Sequence, residues 1–245
     1  MNRQAVNPYL PSWEYIPDGE PHVFNGRVYV YGSHDRFNAP IFCVNDYVCW
    51  SAPVEDLSEW RYEGVIYRKK QDPKNPLGYH LLFAPDVCQG PDGRYYLYYA
   101  FDFLGIMSVA VCDTPAGEYK FLGHIHYADG TLWGRRRGDQ LPFDPGVLAD
   151  DDGRVWLYSG FYNAVPAILT GGHKLRCDGG TVLELEKDMV TIKTEPRVIF
   201  PKKGPGAFQG HEFFEASSIR KEGKTYIFVY SSRHNHELCY ATSHS

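Results

Sequence analysis

A glycine-centred turn followed by an aromatic-rich strand occurs four times in this chain. The four copies read NGRVYVY (25–31), DGRYYLYY (92–99), DGRVWLY (152–158) and EGKTYIFVY (222–230). Their turn glycines, Gly26, Gly93, Gly153 and Gly223, lie 67, 60 and 70 residues apart. A repeat of that period, with several strands per unit, points to like units packed radially as the blades of a β-propeller, which leaves only short, protected edges. A carboxylate precedes each turn glycine by seven to nine residues: Asp18, Asp86, Asp144 and Glu215. The first strand of each blade is innermost, so equivalent residues of successive blades converge on a common channel. Converging carboxylates are what glycoside hydrolysis requires.

Each unit can be followed strand by strand. The first strands read EPHVF, APDVCQ, DPGVLAD and EASSIRK, and an Asn-Gly or Asp-Gly type of turn then closes a tight hairpin. Third strands are predicted at 42–52 and 106–113, and fourth strands at 60–68 and 119–127. Unit three keeps this form at 183–199 with a different turn. Unit four reaches a third strand at 237–243 and the sequence stops at Ser245. The expectation is a single all-β domain over 1–245. It is a five-bladed type of propeller with three and a half to four blades present, incomplete at its C-terminus. An open blade edge is a pairing hazard, so further sequence or a homo-oligomeric partner is expected to cover it. The segments 69–79, 128–141 and 201–210 lead into inner strands and are expected to wall a cleft.

Composition narrows the partners. The net charge of −5 argues against nucleic acid, and the run Arg135–Arg137 is short enough to be a solvated loop or a rim contact. No apolar stretch has the length of a membrane span, and the N-terminal residues show no signal-peptide core. The six cysteines are scattered without a CxxC pair, which fits small hydrophobes in a reducing compartment. A cytoplasmic location is therefore expected. Aromatic residues make up 16%, which suits both sheet packing and stacking against sugar rings.

Inverting hydrolysis needs one carboxylic acid to protonate the leaving oxygen and one carboxylate to deprotonate water. The two stand roughly 6.5–9.5 Å apart. A third carboxylate beside the acid would raise its pKa by like-charge repulsion. Asp18, Asp144 and Glu215 are the candidates, with Glu212 as an alternative to Glu215. Asp86 divides between a turn residue and a contact to a sugar hydroxyl. His34 is either structural or borders the pocket. His234 and His236 form a weak metal pair, for which a loop role is favoured. Phe83 and Phe143, near the carboxylates, are expected as apolar walls of the sugar site.

The segment NPYLPSWEYIPDGEPHVFNGRVYVYGSHD resembles the opening of glycoside hydrolase family 43, five-bladed propellers acting on arabinofuranosides, xylosides and galactose-containing chains. Asp18 stands eleven residues before Tyr29, as the family's first Asp does before its Tyr-rich strand. Gly19 replaces the usual Pro, which leaves Glu20, the residue before Pro21, as a competing base. LFAPDVCQGPDGRYYLYYA resembles the family's WAPD segment with Phe83 at the Trp position. FDPGVLADDDGRVWLYSG and FFEASSIRKEGKTYIFVYSS resemble its third- and fourth-blade motifs.

The resemblance implies Asp18 as general base, Asp144 as the group that orients the acid and tunes its pKa, and Glu215 as general acid. It implies oligosaccharide substrates, cleaved in exo or endo fashion, and no required cofactor; the expected intracellular location favours short oligosaccharides and an exo-acting pocket. Family members hold a structural calcium in the channel with a His from the fifth blade, so no residue is assigned here as a metal ligand. A glycoside phosphorylase or transferase, with Arg135–Arg137 as phosphate cradle, is one alternative. A catalytically weak carbohydrate-binding propeller is another.

Overall fold

The computed structural model describes residues 7–234 and 236–244. Blade 1 comprises β1 (Glu20–Phe24), β2 (Arg27–Tyr31), β3 (Tyr47–Pro53) and β4 (Arg61–Tyr67). Blade 2 comprises β5 (Asp86–Gln89), β6 (Tyr95–Ala100), β7 (Met107–Cys112) and β8 (Lys120–His124). Blade 3 comprises β9 (Gly146–Ala149), β10 (Val155–Phe161), β11 (Gly179–Leu185) and β12 (Arg197–Pro201). Blade 4 holds β13 (Phe213–Glu222), β14 (Thr225–Ser232) and β15 (Leu238–Ser243). Each is an antiparallel sheet in simple sequential order, three of four strands and one of three. This is the β-propeller that the repeat predicts.

The aromatic second strands explain how the blades pack. β6, YYLYYA, is buried along its whole length, because neighbouring blades cover both its faces. Tyr31, Tyr47, Tyr67 and Tyr99 fill the space between blades 1 and 2. Tyr98, Trp133, Leu157 and Leu183 do so between blades 2 and 3, and Phe213, Phe228 and Tyr230 between blades 3 and 4. Each such side chain contributes about 1.5–3 kcal/mol by burial. The hydroxyls are accommodated: Tyr31 donates to Pro115 O at 2.7 Å, Tyr98 to Met189 O at 2.9 Å and Tyr99 to Asp72 Oδ2 at 2.7 Å.

The inner strands β1, β5, β9 and β13 lie side by side in that order. Glu20 on β1 also accepts from Ser218 Oγ at 2.7 Å and from the Arg220 guanidinium, both on β13, which bridges blade 1 to blade 4.

Two expectations change. The strand predicted at 42–52 starts only at Tyr47, and residues 42–46 belong to the β2–β3 loop. Arg135 is not a solvated rim residue: its guanidinium donates to the carbonyls of Gly105, Gly134 and Leu104 and ties two loops together. All six cysteines are free thiols. Among the described residues no helix is long and apolar enough to cross a membrane.

Candidate active site

Asp18 and Asp144 each stand two residues ahead of an inner strand, and Glu215 lies near the start of β13. All three line one cavity of about 410 Å³, together with Phe83, Phe143, Phe103, Phe161 and Phe214. The volume falls within the range of small-molecule sites.

The local backbone explains how they get there. Asp18 (φ 56°), Asp144 (φ 45°) and Ala216 (φ 63°), the residue after Glu215, all adopt left-handed conformations. Such conformations cost about 1–3 kcal/mol each and persist only where surrounding contacts impose them. Here buried serines help to impose them. Ser33 Oγ lies 3.1 Å from Pro17 O and 2.7 Å from Asp18 Oδ2. Ser159 Oγ donates to Phe143 O at 2.6 Å and accepts from Phe143 N at 2.8 Å.

Two glycines supply the remaining room. A Cβ on Gly32 would meet Ile16 Cγ2 at 2.4 Å, so its absence lets the turn bearing Asp18 fold onto the end of β2. A Cβ on Gly146 would meet Ser217 O at 2.5 Å. That close approach of β9 and β13 brings Asp144 beside Glu215. Gly146→Ala must push two backbones apart. It is expected to destabilise the fold by about 1–3 kcal/mol and to lower kcat at least about tenfold through misplacement. Thermal melts and steady-state rates check both effects.

The electrostatics separate the three groups. Glu215 is raised from 4.5 to about 7, first by burial and then by the charge of Asp18. Asp144 is raised well above its ordinary value, first by burial, then by Glu215 and Asp18, while the Ala216 N–H pulls it back. Asp18 thus supplies the negative charge that both others resist. Asp144 and Glu215 also repel one another, Glu215 helping to raise Asp144. Asp144, buried and biased to its acid form, is suited to orienting its neighbour.

Phe83 and Phe143 stand in the cavity wall as a T-shaped pair, centroids 5.7 Å apart at 83°. Two other expected contacts do not reach the cavity. His34 is held on both nitrogens, Nδ1 2.9 Å from Asp46 O and Nε2 2.9 Å from Glu14 Oε1, and acts as a structural link.

Asp86 lies two positions too deep. It pairs with Tyr98 as Gly146 pairs with Tyr158 and Glu20 with Tyr31. The blade 2 residue equivalent to Asp18 and Asp144 is therefore Ala84, which does line the cavity. Two residues along a strand amount to roughly 6.5 Å. Asp86 is fully buried there, 2.5 Å from His22 Nε2, and accepts from Val147 N at 2.6 Å. Glu20 occupies the same deep level, which removes it as a competing base. Glu212 does not line the cavity and faces Arg233 and His234 at 3.8 and 3.7 Å.

Glu20, His22 and Asp86 each offer one ligand atom, all within 4.8 Å of one another. Glu20 is held by Ser218 and Arg220, and Asp86 by Val147 N. The Arg220 guanidinium already neutralises Glu20, and the set offers only two carboxylates as oxygen donors where calcium takes six to eight oxygens, so these residues do not fit that ion.

The sequence did not single out Asp35, Phe42, Cys43, Phe103, Phe161 or Phe214, all of which line the cavity. Asp35 Oδ1 accepts from Cys43 N at 2.5 Å and so shapes the β2–β3 loop.

A propeller whose inner strands deliver three carboxyls to a phenylalanine-walled cavity defines the class: a β-propeller with a carboxylate centre at its channel mouth. The chain belongs to the glycosyl hydrolases family 43, which its sequence matches over residues 17–245. It is 61% identical over 247 residues to a xylosidase/arabinosidase of Thermoclostridium stercorarium, an alignment covering 99% of this chain and 50% of that protein. This chain therefore spans half the length of that relative. A xylosidase/arabinosidase of Bacteroides ovatus is 31% identical, with 96% of this chain and 75% of that protein covered. Among solved structures, a β-xylosidase/α-arabinofuranosidase from a compost metagenome, in complex with xylotriose, superposes with a TM-score of 0.71 at 26% identity. That match covers 99% of this chain and 77% of the other.

Proposed function

We propose that this chain is the catalytic propeller of an inverting glycosidase that releases xylosyl or arabinofuranosyl units from short oligosaccharides. The observation that carries this is the convergence of Asp18, Asp144 and Glu215 on one phenylalanine-walled cavity, with Glu215 raised to about 7. A carboxyl with that value holds its proton near neutral pH and releases it readily to a leaving oxygen, as a general acid must.

Asp18, positioned by Ser33, takes the proton from water as that water attacks the anomeric carbon. Glu215 gives its proton to the glycosidic oxygen as that bond breaks. Asp144, held against the Ala216 N–H, keeps the Glu215 segment in place. The phenyl walls cover the apolar faces of the ring and exclude bulk water. They offer few partners for extra hydroxyls, which favours a pentose. The names of the T. stercorarium and B. ovatus relatives support the same substrate class.

The phosphorylase alternative loses its residues. Arg135 is committed to backbone carbonyls, and neither Arg136 nor Arg137 lines the cavity. The test uses nitrophenyl β-xyloside, α-arabinofuranoside and β-galactoside, each with and without phosphate. Turnover of a pentoside independent of phosphate is expected. Sugar binding without turnover would support the binding-module alternative, and phosphate-dependent turnover the phosphorylase.

A further inference from the structure

The β14–β15 loop carries two histidines that point to different partners. His234 faces Glu212. His236 lines the catalytic cavity. Its Nδ1 stands 3.8 Å from Glu215 Oε1 and 3.3 Å from Ser231 Oγ. Its ring meets Phe214 edge-on, centroids 4.7 Å apart at 88°. The side chain is 64% exposed, which places it at the cavity mouth. Among the described residues that line this cavity, four carry carboxyls (Asp18, Asp35, Asp144 and Glu215), and His236 alone can carry a positive charge.

Position on the reaction path follows from the neighbour. Glu215, as the proton donor of the proposed mechanism, must lie against the glycosidic oxygen. Groups on its solvent side therefore meet the departing part of the substrate, not the sugar held at the base of the cavity. We propose that His236 is a leaving-group contact, its imidazole donating to a hydroxyl of the departing sugar and so favouring sugar over non-sugar leaving groups.

This inference rests on the glycosidase reading, and the two can fail separately. The imidazole is well placed to bind a polyhydroxylated group: one ring nitrogen is turned to Glu215 and Ser231, and Phe214 fixes the ring plane. The left-handed backbone at His236 (φ 52°) sets the ring's direction and also guides the choice of variant. Asn tolerates that conformation but is too short to reach, whereas Gln keeps a donor at nearly the imidazole's reach.

The experiment compares kcat/KM on xylobiose and on nitrophenyl β-xyloside, whose leaving group presents no hydroxyl, for wild type, His236→Asn and His236→Gln. In His236→Asn, kcat/KM on xylobiose is expected to fall about tenfold further than on the nitrophenyl substrate, as for one lost hydrogen bond to substrate. His236→Gln is expected to recover most of that difference. Equal losses on the two substrates, or no loss on either, would overturn the proposal, as would a Gln variant no better than Asn. A wild-type protein that hydrolyses neither of these substrates would overturn this inference, and one that also leaves nitrophenyl α-arabinofuranoside intact would overturn the glycosidase reading with it. Wild-type turnover with an unchanged substrate ratio in the variants would remove only the inference.

Discussion

Glu215→Gln is expected to lose activity and gain stability together. Removal of a general acid lowers kcat by about 10²–10⁴ on substrates whose leaving group needs a proton. The loss should be much smaller on nitrophenyl glycosides, because nitrophenolate departs without protonation. The stability effect comes from the same burial that tunes the acid. Glu215 is raised from 4.5 to about 7 in the folded protein, so folding favours its protonated form. Its contribution is complete below the unfolded value and is lost as pH rises through about 7. A shift of that size corresponds to roughly 3 kcal/mol. With 26% of the side chain exposed, solvent screening reduces it to about 1–2 kcal/mol. Glutamine has the same shape and no charge. The variant should therefore be more stable than wild type at about pH 8 and equal to it at about pH 4. Urea unfolding at the two pH values checks this. Equal stabilities at both would show that Glu215 is not held in a proton-retaining site.

Asp18→Asn is expected to be the other severe loss, about 10³-fold in kcat on aryl and natural substrates alike, because water activation is needed whatever the leaving group. That indifference to leaving group distinguishes base from acid. A small nucleophilic anion such as azide, which needs no deprotonation, should restore part of the rate and yield a glycosyl azide. The variant should also alter the acid. The Asp18 charge is one of the two causes that raise Glu215. Without it Glu215 gives up its proton more easily, so the alkaline limb of the azide-rescued reaction should move to lower pH. An unmoved limb would mean that burial alone sets the acid.

The distinction between what the sequence made legible and what it did not follows from what repeats. The hairpins repeat, so blade count, strand order and the placing of Asp18, Asp144 and Glu215 at the entrances of inner strands could be read from turn spacing. Asp86 shows the weakness of counting from a turn glycine. Blade 2 has Asp86 paired with Tyr98, the register of Gly146 and Glu20, so a count of seven falls two residues deeper than the count of nine that reaches Asp144. Allowing for that offset would have pointed to Ala84.

The loops do not repeat. Asp35, Phe42 and Cys43 come from the β2–β3 loop, part of which reads as an extended third strand because FCVNDYVCW is apolar except at Asn45 and Asp46. His236 comes from the β14–β15 loop. Backbone conformation is the signal that does mark them. Of nine non-glycine residues with positive φ among those described, Asp18, Cys43, Asp144, Ala216 and His236 lie in or next to the cavity. No pattern of hydrophobicity encodes that. It reflects loops held against one another by Ser33, Ser159 and close-packed glycines.

The three carboxyls do different work only if water attacks directly and no glycosyl-enzyme forms. Proton NMR of the reaction on xylobiose, recorded before mutarotation, tests that claim most directly. α-Xylose is expected as the first product from the β-linked substrate. β-Xylose appearing first would contradict the claim, because one of these carboxylates would then be acting as a nucleophile.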